Sequence, residues 1–240
     1  GEQHLNIITT KLQNKFGVAV ELAEPKIAYR ETIKKKVKVE GKHKKQSGGH
    51  GQYGHVWIEF EPCDSEDLVF EEKVFGGSVP KNFFPAVEKG LRDSVKSGVL
   101  AGYPVVNLKA TLVDGSYHSV DSSEMAFKTA ANLAYKAGLA QADPVLLEPV
   151  GRLKVKARND YTGDIVGDIN KRRGRVLGME PKDKNITEVE AEVPMGEMAK
   201  YAIDLRAITN GRGKFSFVFD HYEEAPYNVR DKVVAESKKQ

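Results

Sequence analysis

The spacing of apolar residues changes period several times along the chain, and each change predicts an element. Leu5, Ile8 and Leu12 stand at i, i+3 and i+7, so residues 3–16 read as an amphipathic helix stopped at Gly17. Val18, Val20 and Leu22 then alternate, which predicts a strand. A lone helix and strand cannot bury both apolar faces, so residues 1–25 are expected to be the end of a domain whose first half is missing. After Pro25 the alternation lengthens. Ile33, Val37 and Val39 form one strand segment and Val56, Ile58 and Phe60 another, joined by the glycine-rich stretch GKHKKQSGGHGQYG. Residues 32–40 and 53–61 are expected to pair as a hairpin.

From Phe84, the residues Val87, Leu91 and Val95 return to helical spacing, with Pro85 in the first turn and Gly98 at the end. Val106, Leu108, Ala110 and Leu112 make the next strand, and the turn GSYHSV follows it. Asp121-Ser-Ser-Glu124 has the form of a capping box and opens an alanine-rich helix that Gly138 is expected to stop. Residues 26–145 thus form a sheet packed under helices, an α+β unit.

A second unit opens at Glu148-Pro149. Val150, Leu153 and Val155 predict a strand, Thr162 to Arg173 a helix, and Arg175–Met179 and Thr187–Val193 two strands. Met195 to Ile208 predicts a helix and Phe215, Phe217 and Phe219 a last strand. The order is βαββαβ over residues 146–230, a ferredoxin-like domain, and the charged residues 231–240 are expected to fray.

Composition narrows the class. The 240 residues are 40% apolar and 30% charged, the balance of a soluble globular protein with room for two domains. Cys63 is the single cysteine, so neither a disulfide nor a cysteine zinc site holds the fold, in keeping with a reducing cytoplasm. No apolar run is long enough to span a membrane, and the first residues lack a signal-peptide pattern. A net charge of +3 is too small to diagnose a nucleic-acid binder, so its distribution matters more.

That distribution is polarised. Seven lysines (34, 35, 36, 38, 42, 44 and 45) stand against Glu40 alone, whereas residues 59–72 hold seven carboxylates and no lysine or arginine. In a hairpin, the loop end becomes basic and the open end acidic, and the basic tip attracts phosphate. The loop Ser47-Gly48-Gly49-His50-Gly51-Gln52-Tyr53-Gly54 lets backbone approach RNA, Gln52 can hydrogen-bond base edges or riboses, and His50 and Tyr53 can stack. A merely flexible hairpin explains the glycines equally well. The stretch lacks the lysine and hydroxyl of a phosphate-binding P-loop, and nothing else in the chain matches that motif. His118 lies in the second turn with no partner at metal-ligand spacing, and Ser116, Ser119, Ser122 and Ser123 do not make a hydrolytic set with it. In the last unit, Lys171, Arg172, Arg173 and Arg175 exceed what a helix end needs, which favours a phosphate-facing surface. Arg212 adds a basic turn that a helix cap explains almost as well.

Long segments carry a family resemblance. IAYRETI, KKQSGGHGQYG, AGYPVVNLKATLVDGSYHSVDSSEMAFKTA, LLEPV, TGDIVGDINKRRGRVLGM, RAITNGRGKFSF and EEAPYNV, in this order, resemble domains IV and V of bacterial elongation factor G, and GEQHLNII resembles the close of its domain III. The resemblance implies a remnant of domain III over 1–25, a ribosomal protein S5 domain 2-like domain IV over 26–145 and a ferredoxin-like domain V over 146–230. It also implies that Ser47 to Gly54 and Ser116 to Ser119, with Tyr117 between, meet transfer and messenger RNA in the decoding centre. Lys42, Lys44 and Lys45 would draw the tip to phosphate, and Gln52 and His118 would make the first direct contacts. Lys171 to Arg175 would meet ribosomal RNA of the large subunit. The implied partner is thus the ribosome, with RNA of both subunits, met by a monomer with no membrane and no small-molecule substrate in this segment. The segment would hold no cofactor, metal or catalytic residue, while GTP and magnesium belong to the full-length GTPase. His50 where arginine is frequent, Ser119 where aspartate is common, and the lysine-rich approach to the loop suggest a paralogue. Rival readings are a ribosomal-protection protein using the same tip, a hydrolase pairing His118 with Asp114 or Asp121, and a generic partner-binding module.

Overall fold

The computed structural model describes residues 2–46 and 48–239. They fall into two compact units, Gly1–Ala28 with Glu148–Glu223, and Tyr29–Leu147 with Glu224–Gln240. In chain order the elements are α1 (Glu2–Phe16), β1 (Arg30–Ile33), β2 (Val37–Lys45), β3 (Gln52–Pro62), β4 (Val69–Glu72), α2 (Phe84–Ser94), β5 (Leu108–Ser116) and α3 (Glu124–Gln141). There follow β6 (Pro144–Arg158), α4 (Thr162–Lys171), β7 (Arg175–Asp183), β8 (Ile186–Pro194), α5 (Tyr201–Thr209), β9 (Lys214–Glu224) and α6 (Tyr227–Ser237).

In the Tyr29–Leu147 unit, four strands run in the order β2-β3-β5-β4, antiparallel except for the parallel pair β4/β5. Period-2 alternation turns Val39, Val56, Ile58, Phe60, Ala110 and Leu112 inward, where they bury against Val87 and Leu91 of α2 and Phe127, Ala131, Tyr135 and Leu139 of α3. The alanines of α3 matter for distance as much as for helix propensity. A Cβ on Gly41 would stand 2.1 Å from the Ala130 carbonyl oxygen, and one on Gly54 would stand 2.4 Å from that of Ala126. Gly54 therefore admits the helix to the sheet and is not a loop glycine. The N-cap of α3 is Ser123, whose hydroxyl accepts the Ala126 N–H at 3.1 Å, so the capping box beginning at Asp121 does not form. Gly138 likewise does not stop the helix; it lies inside it, where a Cβ would come within 2.6 Å of the Phe60 ring.

The expected strand through Ile33, Val37 and Val39 is two. The chain bends at Lys34–Lys36, where the Lys34 and Lys35 N–H groups both donate to the Ala142 carbonyl, and β1 pairs with residues 144–147 of β6 instead. Glu31 of β1 is buried and accepts the N–H groups of Leu100, Ala101 and Tyr103 at 2.7, 3.2 and 2.8 Å. Burial pushes its carboxyl above the usual range, and these donors only partly offset that. Residues 231–237, expected to fray, continue α6. Val233 of α6 is buried with Leu146 and Ala225, so an apolar contact holds a segment whose charge alone predicted disorder.

In the other unit the strand order is β9-β6-β8-β7, with α4 and α5 supplying Ile165, Ile169, Tyr201 and Leu205 to a core with Leu153, Val155, Val189, Ala191 and Val193. The βαββαβ order is the ferredoxin-like one. The predicted helix over 195–208 is interrupted: a single turn at Met195–Glu197 precedes Lys200, at φ 60°, and only then does α5 begin. The strand predicted at Val18–Leu22 is absent. That stretch has no neighbouring strand among the described residues, and alternation without a hydrogen-bonding partner does not make a strand.

Candidate nucleic-acid interface

The hairpin of β2 and β3 is longer than its hydrophobic pattern indicates. Pairing runs on to Lys42↔His55, Lys44↔Tyr53 and Lys45↔Gln52, which places these lysines on the last rungs before the loop. The lysine run is also divided in kind. Lys34 pairs with Glu224 at 3.2 Å, and Lys36 pairs with Glu59 and Glu61 at 3.0 and 3.4 Å, which neutralises the open end. Lys42, Lys44 and Lys45 have no carboxylate partner among the described residues, and Lys42 Nζ lies 5.8 Å from the centre of the Tyr53 ring. Lys35 and Lys38 likewise have no carboxylate partner among the described residues, Lys38 Nζ lying 5.8 Å from the centre of the Trp57 ring, but three of the five unpaired lysines of the run stand at the loop end.

Two loops separated in sequence form one tip. The Gly51 N–H donates to Asp121 Oδ1 at 3.0 Å, and the Tyr53 N–H donates to the Asp121 carbonyl at 2.8 Å. A Cβ on Gly51 would stand 2.9 Å from Asp121 Oδ2 and 3.1 Å from the Lys45 carbonyl oxygen, so a larger residue there would have to push the Asp121 carboxylate aside. Gly48 and Gly49 adopt φ of +46° and +106°, the left-handed region that lets the chain reverse. Ser47, expected among the contacts, lies outside the described residues, and His50 is exposed. Gln52 Oε1 meets His43 Nε2 at 2.8 Å, so its amide nitrogen is the group left to bind.

On the second loop, Tyr117 and His118 are about half exposed and Ser119 is exposed. His118 Nδ1 accepts the N–H groups of Val120 and Asp121 at 3.2 and 3.1 Å. A nitrogen facing two donors carries no proton, so in the neutral ring Nε2 bears it. Asp121 Oδ2, at 3.6 Å from Nδ1, is beyond hydrogen-bond range. The acid–base pair required of a His118 hydrolase is therefore not assembled with Asp121. The His118 and Tyr53 ring centres are 6.4 Å apart.

Behind the tip runs a chain of hydrogen bonds that the sequence reading missed. Tyr53 Oη meets Ser116 Oγ, Ser116 Oγ meets His55 Nδ1, and His55 Nε2 meets Glu40 Oε1, each at 2.6 Å. Its signal in the sequence is the period-2 spacing of Tyr53 and His55, but Ser116 joins only once β3/β5 register sets it opposite His55. The order carboxylate, imidazole, hydroxyl is that of a hydrolytic triad, yet here the hydroxyl is taken by Tyr53.

Part of the basic run after α4 is held by internal ion pairs. Arg172 is buried and bonded to Asp168 at 2.9 Å, to the Glu197 and Ala199 carbonyls at 2.7 and 3.2 Å, and to Asp204, with its guanidinium over the Tyr201 ring. Arg173 grips Glu148 through two nitrogens at 3.0 and 2.9 Å and also reaches Glu197. Arg175 bonds Glu192 and lies 3.5 Å from Glu223. Arg172 and Arg173 thus tie their own unit together through internal carboxylates, whereas Arg175, though paired, is exposed. Lys171 and Arg212 are exposed.

Comparison with known proteins places these features in a family. Residues 25–143 match the family model described as elongation factor G, domain IV, and residues 145–233 match that described as elongation factor G C-terminus. A crystal structure of a protein from Thermus thermophilus is similar over 100% of this chain, with 46% identity and a TM-score of 0.88. The chain spans 36% of the length of that protein.

Proposed function

The chain belongs to the elongation factor G family, and from that premise we propose that it is the ribosome-contacting part of a translocase, its domain IV tip entering the decoding centre. Residues 1–25 correspond in this reading to the close of domain III, 26–145 to domain IV and 146–230 to domain V. The observation that carries it is the tip itself: two loops tied together by Asp121, with Lys42, Lys44 and Lys45 uncompensated beside exposed His118. Lysines give salt-sensitive attraction to phosphate, and Gln52 and His118 give local hydrogen bonds. A rigid tip occupying the vacated site keeps transfer RNA from moving back, so the work is steric and electrostatic. Hydrolysis of GTP with magnesium belongs to the whole protein, which acts as a cytoplasmic monomer. His118→Ala in the full-length factor tests the reading. Single-round translocation slows while ribosome-stimulated GTP hydrolysis persists; equal loss of both, or of neither, contradicts it.

A further inference from the structure

Hydrogen-bond direction at the tip goes beyond charge, and it rests on the reading of the tip as an RNA contact. With His55 neutral and its Nε2–H given to Glu40, Nδ1 is an acceptor, so Ser116 must donate its one proton there. Ser116 Oγ can then only accept from Tyr53, and the Tyr53 proton is committed inward. What Tyr53 Oη still has is acceptor capacity. His118 is the converse: Nδ1 is filled by backbone N–H groups and Nε2–H is the donor. The ring centres stand 6.4 Å apart, so neighbouring rings of one tip carry a committed acceptor and a committed donor. Phosphate oxygens, which only accept, cannot satisfy Tyr53. A ribose 2′-hydroxyl both donates and accepts, and it is the group by which RNA differs from DNA.

We infer that the tip recognises a ribose 2′-hydroxyl through the acceptor Tyr53 Oη and the donor His118 Nε2–H, with Glu40, His55 and Ser116 as positioning residues that set the direction of the Tyr53 hydroxyl. Lysine attraction is blind to the sugar; this pair is not.

The test is binding of the 240-residue chain to a single-stranded RNA 12-mer, its DNA counterpart and its 2′-O-methyl counterpart, at one salt concentration and about pH 8, above the ordinary imidazole range of about 6.5. RNA is expected to bind about tenfold tighter than either analogue, the worth of a hydrogen bond whose loss strands a partner. Tyr53→Phe, which keeps the ring, and His55→Phe, which frees Ser116 from its acceptor, bring RNA and its 2′-O-methyl counterpart together while leaving the salt dependence unchanged; DNA, with no 2′-oxygen for His118 Nε2–H, stays weaker. Glu40→Gln, which can still accept from Nε2–H, keeps the preference. Salt-dependent binding with no preference for RNA, or a preference over 2′-O-methyl RNA that survives both Tyr53→Phe and His55→Phe, overturns the inference alone. A preference that follows base identity and ignores 2′-O-methylation also overturns it, because Tyr53 would then be reading an exocyclic amine. No binding to any probe would overturn the inference and the RNA-contact reading beneath it together.

Discussion

At Asp121 one side-chain oxygen and one main-chain oxygen accept the N–H groups of Gly51 and Tyr53, and its own N–H donates to His118 Nδ1. One residue therefore fixes the glycine-rich loop and the imidazole together. Asp121→Ala should destabilise the unit by about 1–2 kcal/mol, the cost of stranding a donor, and hasten amide exchange at Gly51. Asp121→Asn keeps an acceptor and should cost less; equal exchange in all three proteins would show that the latch does not form. Sequence pattern misassigned this residue because an aspartate three places before a glutamate satisfies the capping rule, and only the fold shows that Ser123 does the capping. His221 supplies a pH dependence in the other unit. Glu223 and then Asp220 bind its two nitrogens at 2.8 and 2.6 Å and raise its pKa. A raised folded-state value means that its stabilisation is complete below the unfolded value of about 6.5 and is lost as pH rises through the folded value. The site is partly exposed, so screening holds the effect below about 1 kcal/mol. The thermal midpoint of wild type should exceed that of His221→Gln most near pH 6, with the gap shrinking toward pH 9.

Among the elements, glycines that read as loop or stop signals prove to be packing positions. Gly41 and Gly54 face the α3 backbone, and Gly138 faces Phe60 and Val39. Gly54→Ala would meet main-chain atoms that cannot rotate away, so α3 must shift. The expected cost is about 2 kcal/mol, typical of overpacking, seen as a lower denaturant midpoint. Unchanged stability would mean that the helix is not held so close. Periodicity indicated most strands and helices, but it missed β4 and α6 and merged β1 with β2. It failed where the deciding partner was remote. Residues 18–22 alternate but have no paired strand, whereas α6 is anchored through Val233 to a contact that a charged tail does not advertise.

At the scale of the whole molecule, positive charge is sorted by what faces it. Lys34 and Lys36 meet carboxylates, Arg172 and Arg173 are held within their own unit, and Lys42, Lys44 and Lys45, on the last rungs before the loop, have no carboxylate partner among the described residues. Sequence placed the basic end of the hairpin at its loop, and it read the arginines of the last unit as a second phosphate-facing group, since composition does not show which cations already have partners. Most of the architecture and half of the site were thus readable, and the hydrogen-bond chain from Glu40 to Tyr53 was not, because it needs the register between strands. The central claim is that phosphate attraction resides in the three tip lysines. The direct measurement is ribosome affinity as a function of salt for the triple variant Lys42→Glu, Lys44→Glu, Lys45→Glu against wild type. The account predicts weaker binding and a slope of log affinity against log salt flatter by about two to three; unchanged affinity with an unchanged slope would contradict it.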